Sequence, residues 1–255
     1  MKHFYETYKD KPELSKLLRE NTWSNNLYII SKTKSYEEKE FYLKLASKEK
    51  YKAKELARQI DSGYYERLLL SNGKAPSAIE SKDMTGVLRD MYMLEFLDLP
   101  EPYKEYDLKK AILKNMKKFL LEFGRDFIFI DEEYHVQVGN NDYYVDLLFY
   151  HRELQCLVAI DLKIDDFKPE YMGKMDFYLE ALDRDIKKPH ENPSVGMILC
   201  KNADTDVVEY SLSRSLSQTM IAEYKTKLID KSILQRKLAE LYDIAEEEVK
   251  NSQQD

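Results

Sequence analysis

Glycine and proline are scarce, seven of each in 255 residues, which is too few for a flexible scaffold. The first hundred residues hold no glycine motif of the kind that binds nucleotides. Cysteine is scarcer still: Cys156 and Cys200 each lie in an apolar run that reads as a strand, which predicts buried free thiols rather than a disulfide or a metal pair. A reducing compartment follows, and cytoplasmic residence is the expectation. Long hydrophobic runs are also missing. The opening MKHFYETYKD has no apolar core of a secretory leader, and nothing approaches the ~18 apolar residues of a membrane span, so no membrane partner is expected. An excess of positive charge is absent too, the formal net charge being -7. That total does not exclude nucleic acid, because location matters more than sum. Lys104 to Arg125 carries seven basic residues against three acidic ones, whereas Glu246, Glu247 and Glu248 add negative charge near the other end.

What is present is 43% hydrophobic and 34% charged residues, a soluble globular composition with enough apolar matter for a core. The pattern divides the chain at residues 1–104 and 105–255. The first part reads as amphipathic helices, with Leu14, Leu17 and Leu18 at helical spacing and Phe41, Leu45, Leu56 and Ile60 set among lysines and glutamates. Trp23, Phe41, Tyr42 and Leu56 are expected in its core. Its basic residues from Lys32 to Arg58 suggest nucleic-acid binding or self-association, tempered by interspersed glutamates. Ser71 to Pro76 reads as a loop, and Val87 to Leu97 as a helix ending near Leu99-Pro100.

In the second part, one helix is predicted over 107–123 with an apolar stripe of Leu108, Ile112, Met116, Phe119, Leu120 and Phe123. The period then falls to two. Phe127 to Ile130 and Tyr134 to Val138 read as extended, Tyr143 to Tyr150 as a strand and Cys156 to Lys163 as a strand apolar on both faces, hence central. A helix after Pro169, a strand over Val195 to Cys200, a further strand over Asp206 to Leu212 and a final helix beyond Asp230, fraying at its end, complete the order. The fold class predicted is α/β, with an αβββαβ core behind a mainly helical first domain.

One constellation carries chemistry. Asp161 and Lys163 are alternate residues of a strand, so both leave one face about 6.6 Å apart along the chain. Asp146 stands in the otherwise apolar Val145-Asp146-Leu147-Leu148-Phe149, where a carboxylate is costly unless it sits at an open edge, is paired or binds a cation. Taken alone, such a triplet is common and describes an ion pair at a sheet end. Two converging carboxylates would instead hold Mg²⁺ or Mn²⁺, which prefer hard oxygen ligands and keep positions for water and phosphate. Lys163 would orient the water or stabilise developing charge, and Glu122, on the preceding helix, would supplement the ligands. Lys168, Lys174, Tyr150 and Tyr171 are candidate nucleic-acid contacts at the mouth. His135 and His151 lack zinc-ligand spacing, and His151 reads as a turn or outer-face residue.

The segment NDYYVDLLFYHRELQCLVAIDLKIDDFKPEYMGKMDFYLEAL, together with the upstream WSNNLYIISK, FYLKLASKEKYKAKELARQI and LRDMYMLEFLDL, resembles the bacterial family known as domain of unknown function 1016 within the PD-(D/E)xK nuclease superfamily. The resemblance covers nearly the whole chain. It implies a restriction-endonuclease-like fold, a helical amino-terminal DNA-binding or assembly domain and metal-dependent hydrolysis of DNA phosphodiester bonds. Asp146 takes the place of the motif's first aspartate, Asp161 of its second acid and Lys163 of its lysine, while Glu122 resembles the acid of the first core helix. The second acid is often glutamate in relatives, so Asp161 is the shorter carboxylate. Lys174 stands where relatives commonly carry glutamine. The resemblance admits a homo-oligomer, or a partner in defence or DNA processing. The alternative class is a catalytically weak or inactive DNA-binding or assembly subunit.

Overall fold

The computed structural model describes residues 2–72, 88–213, 215 and 217–240. Most of the expected loop Ser71 to Pro76, and the expected fraying end beyond residue 240, lie outside them. The chain forms two compact units, residues 1–81 with 228–255 and residues 82–227. The expected junction at 104/105 therefore falls inside the second unit, because residues ahead of it supply a strand to the sheet.

The first unit is helical: α1 Lys2–Tyr8, α2 Ser15–Glu20, α3 Trp23–Lys32, α4 Tyr36–Glu49, α5 Ala53–Asp61 and α6 Tyr64–Asn72, with residues 231–240 helical as well. Its helices start where the sequence caps them. The Thr22 hydroxyl accepts from Asn25 N at 3.2 Å and the Ser35 hydroxyl from Glu38 N at 3.0 Å, which satisfies amide groups that the helix itself cannot. Ile29, Tyr42, Leu43 and Leu56 are fully buried. Three asparagines lock the packing through side-chain amides, Asn21 to Leu17 O and Leu43 O, Asn25 to Tyr51 O and Asn26 to Leu18 O, all at 2.8–2.9 Å. Trp23 departs from expectation: it is 48% exposed, resting on Phe4 with ring centroids 4.9 Å apart. Lys39 leaves the basic surface run, since it is buried and donates to the carbonyls of Thr33, Lys34 and Ser35. Gly63 has φ +65°, a conformation that strains any other residue, and the Leu234 side chain of the 231–240 helix lies where its Cβ would be, Cδ1 at 2.7 Å.

The second unit is built on β1 Met91–Met93, α7 Glu105–Lys114, α8 Met116–Phe123, β2 Phe127–Val138, β3 Asn141–His151, β4 Cys156–Leu162, α9 Glu170–Ala181, β5 Val195–Cys200, α10 Thr205–Leu212 and β6 Thr219–Lys225. One six-stranded sheet runs β1-β6-β5-β4-β3-β2. β2, β3 and β4 form the antiparallel meander, and β4, β5, β6 and β1 are parallel. All seven positions of β4 are buried, as its two-faced apolar pattern requires. Phe119, Phe149, Ile160 and Leu162 fill one side; Leu148, Ala159, Met175 and Leu179 fill the other. Gly196 on β5 brings α9 close to the sheet, because a Cβ there would lie 2.5 Å from Met175 Cγ.

Besides β6, which the sequence reading did not expect, three elements differ from it. The single helix expected over 107–123 is two, broken at Asn115 (φ -111°, ψ 24°), whose side-chain amide turns back to Ala111 O at 3.1 Å. Met91–Met93, expected within a helix, is a short strand paired with β6, and Tyr92 stacks on Phe123 at 3.9 Å. Residues Thr205–Leu212 form a helix, not a strand, because the Asp204 carboxylate caps them by accepting from Asp206 N and Val207 N.

Candidate active site

The antiparallel ladder between β3 and β4 ends at the pair Leu147–Ile160. Asp146 and Asp161 each lie one residue beyond it, directly across from one another, where opposed side chains share a face. At this point a side chain replaces the backbone ladder: Asp146 Oδ2 accepts from Leu162 N at 3.0 Å. Alternation along β4 puts Asp161 on the α9 side of the sheet with Ala159, so the two carboxylates converge rather than face opposite ways. The side chains are 2% and 15% exposed, enough burial to make charge costly and enough opening at Asp146 to admit solvent.

Lys163 follows two residues after Asp161, just past the strand end. Its Nζ lies 2.6 Å from Asp161 Oδ2, donates to Leu162 O at 3.1 Å and stands 5.3 Å from the centre of the Tyr171 ring. The contact with Asp161 is an ion pair without hydrogen-bond alignment, so Oδ2 is buried with no hydrogen bond. From α9, Lys174 Nζ donates to the other oxygen, Oδ1, at 2.8 Å. Burial alone would depress the Lys174 ammonium, but its bond and charge interaction with Asp161 hold it above its ordinary value.

The acid that joins this group from the first helix of the core is Glu105, and the sequence reading missed it. It opens α7, with its Oε2 3.9 Å from Lys163 Nζ. Burial raises its carboxyl, Lys163 pulls it down, and Asp146 and Asp161 push it up again. One turn later Lys109 lies 3.8 Å from Asp146 Oδ1 and also binds Glu133 of β2. Burial likewise raises the Asp146 carboxyl; the Leu162 N–H opposes the rise and the Asp161 charge adds to it. The signal for Glu105 was an acid in the first turn of a helix, with Lys109 four residues on along the same face.

The structure places Glu122 against β1, not in this cluster. Its carboxylate is fully buried on α8, accepts from Met93 N at 2.9 Å and faces Arg89 at 3.7 Å, which commits it to bracing β1. Tyr150 lies on β3 four residues from Asp146, about 13 Å along the strand, and packs into the α9-side core away from the cluster. Tyr171 does reach the mouth, its hydroxyl donating to Asp165 Oδ2 at 2.8 Å with Lys168 on the same oxygen at 2.8 Å. His151 closes a turn by accepting from Leu154 N, and His135 pairs with Asp142 in the β2–β3 hairpin.

The donor set suits a hard divalent cation. Asp161 Oδ2 has unused acceptor capacity, and Asp146 stands opposite it with Glu105 nearby. Among the described residues no three His, Cys, Asp or Glu side chains are gathered tightly enough to enclose an ion. Two carboxylates would therefore share the ion's shell with water and phosphate oxygens, as Mg²⁺ commonly requires.

Two family models match the chain. Residues 85–239 match the family model described as the YhcG PDDEXK nuclease domain, and residues 1–67 match the DUF1016 N-terminal domain. The chain belongs to this family of nuclease-domain proteins, and the match begins close to the start of the second unit. A relative from Escherichia coli (strain K12), named "Putative nuclease YhcG", is 33% identical over 221 residues, covering 84% of this chain and 59% of the relative. The chain thus spans about three-fifths of that protein's length. Two solved structures share a distant likeness. "Crystal structure of a repair endonuclease from Pyrococcus abyssi" has TM-score 0.33 and 16% identity over 50% of this chain and 49% of that one. "Structure of EndoMS-dsDNA2 complex" has TM-score 0.32 and 12% identity over 49% and 47%.

Proposed function

We propose that this chain hydrolyses phosphodiester bonds of DNA at the cluster of Asp146, Asp161, Lys163 and Glu105, with Mg²⁺ or Mn²⁺ as its cofactor. The observation that carries this reading is the buried Asp161 carboxylate, whose Oδ2 makes no hydrogen bond, directly across two paired strands from a second, half-buried aspartate. A protein that needed only an ion pair here would gain nothing from adding Asp146, whose burial raises its carboxyl.

Asp146 and Asp161 would hold the ion, which when bound lowers the pKa of water and neutralises phosphate charge. Lys163 is fixed by Asp161, Leu162 O and the Tyr171 ring, so its ammonium is already placed where negative charge would develop. Glu105, exposed enough to meet water, would orient the attacking molecule. Lys168 and Tyr171 flank the opening and would meet the backbone of the nucleic acid. Cys156 and Cys200 are buried free thiols raised by burial to about 11 and about 12, which fits a reducing, cytoplasmic setting. Among the described residues no helix is long and apolar enough to cross a membrane. Cutting both strands of a duplex would be served by two sites, through self-association or a partner in defence or DNA processing.

The test is cleavage of linear, single-stranded, nicked and branched DNA, with RNA alongside, in Mg²⁺, Mn²⁺ or chelator. Cutting of at least one DNA that the chelator stops supports the proposal. Salt-sensitive DNA binding with no cutting on any substrate would favour a DNA-binding or assembly subunit instead.

A further inference from the structure

Asp161 is met by two ammonium groups, Lys163 on Oδ2 at 2.6 Å and Lys174 on Oδ1 at 2.8 Å. They are not held alike. Lys163 is 12% exposed and is fixed as well by Leu162 O, by Glu105 at 3.9 Å and by the Tyr171 ring. The Lys174 side chain is 45% exposed, and besides Asp161 it touches the Tyr178 ring at 5.2 Å. Its stem leaves α9 toward solvent, so it can swing out without disturbing the core, whereas Lys163 cannot. Lys109 is a weaker competitor at Asp146, since it lies 3.8 Å away and is bound to Glu133.

From this asymmetry we infer that Lys174 is a built-in competitor for the cation, which neutralises Asp161 until a divalent ion displaces it and so sets the ion concentration at which the site fills. The inference rests on the cation-site reading of Asp146 and Asp161. A divalent ion on Oδ2 would sit across one carboxylate from the Lys174 ammonium on Oδ1; relieving that like-charge repulsion means giving up the charge-assisted bond, which corresponds to about tenfold or more in affinity. Lys163, held also by Leu162 O and the Tyr171 ring, stays in place in either state and so does not set the difference between them.

Mn²⁺ titration of the full chain by calorimetry, with no nucleic acid present, reads this directly. The expected result is that Lys174→Gln binds Mn²⁺ about tenfold tighter than wild type, that Lys174→Arg stays near wild type, and that Asp161→Asn binds far more weakly. Lys174→Met serves as a second neutral variant should Lys174→Gln fail to fold, judged by circular dichroism. Affinity in the neutral variants equal to wild type, or weaker, would overturn the competitor role while leaving the cation site standing. Wild type that binds no Mn²⁺, or Asp161→Asn that binds as well as wild type, would overturn the cation site and the competitor role with it.

Discussion

Each unit of the chain buries a cluster of lysine and carboxylate, and the two clusters differ in what surrounds them. In the helical unit, Lys231 Nζ lies 2.7 Å from Glu38 and 3.3 Å from Glu66, and Gln235 donates to Glu66 at 3.0 Å. Glu38 and Glu66 side chains are 5% and 4% exposed, enclosed among α4, α6 and the 231–240 helix. In the sheet unit, Asp161 is as deeply buried, but Lys174 and Glu105 around it are 45% and 44% exposed. Each cluster also leaves one carboxylate oxygen without a hydrogen bond, Glu66 Oε2 and Asp161 Oδ2. Burial and pairing alone therefore do not mark a site. The difference is access: in the first cluster both carboxylates are enclosed by helices and only Lys231 is partly exposed, whereas the second stands at the open ends of two central strands.

The comparison can be broken at three points, in order of expected effect. Glu105→Gln should lower cleavage by about 100-fold, the scale of losing one positioned group at a reacting centre, and change urea stability by less than about 0.5 kcal/mol. Glu122→Ala should do the reverse, costing about 3 kcal/mol through the lost bond from Met93 N and a buried void while sparing the turnover of folded protein. If cleavage instead followed Glu122, the placement of the two acids would be wrong. Next, Lys231→Met should destabilise the helical unit by about 2 kcal/mol, below the usual range for a buried pair because Lys231 is partly exposed, and leave Mn²⁺ binding unchanged. A loss of Mn²⁺ binding would show that the two clusters are not independent.

On stability, as distinct from the cleavage that a ligand's loss should abolish, Asp146→Asn gives the smallest effect. Burial raises the Asp146 carboxyl in the folded chain, so the ionised form costs stability at neutral pH, and that cost disappears once pH falls below the ordinary aspartate value of 3.8. The amide, which still accepts from Leu162 N, should stabilise the unit slightly at pH 7. The gain should shrink as pH is lowered toward that value. Urea titrations at pH 7 and at about pH 5 would read both, and a gain that grew on acidification would reverse the assigned sign.

Local pattern made the meander, its central β4, α9 and β5 legible in the sequence, and with them Asp146, Asp161 and Lys163. These elements declare themselves by period and by carboxylates in apolar strands. What sequence could not reach is long-range. Strand β1 pairs with β6 across more than a hundred residues, and its apolar run reads equally as helix. Residues 228–240 return to the helical unit, where Gly63 admits Leu234 and Lys231 meets Glu38. Glu105 was missed because the helix was begun at Asp107, past it, and the resemblance put Glu122 in the acid's role. Trp23 shows the opposite error, a large aromatic assigned to the core that lies half in solvent.

Cleavage by Asp161→Ala, set beside wild type on whichever DNA the wild type cuts in Mn²⁺, tests the central claim most directly. The account predicts a loss of about 1000-fold or more, ~4 kcal/mol of barrier, with the variant still folded by circular dichroism. Cleavage at wild-type rate by folded Asp161→Ala would contradict it.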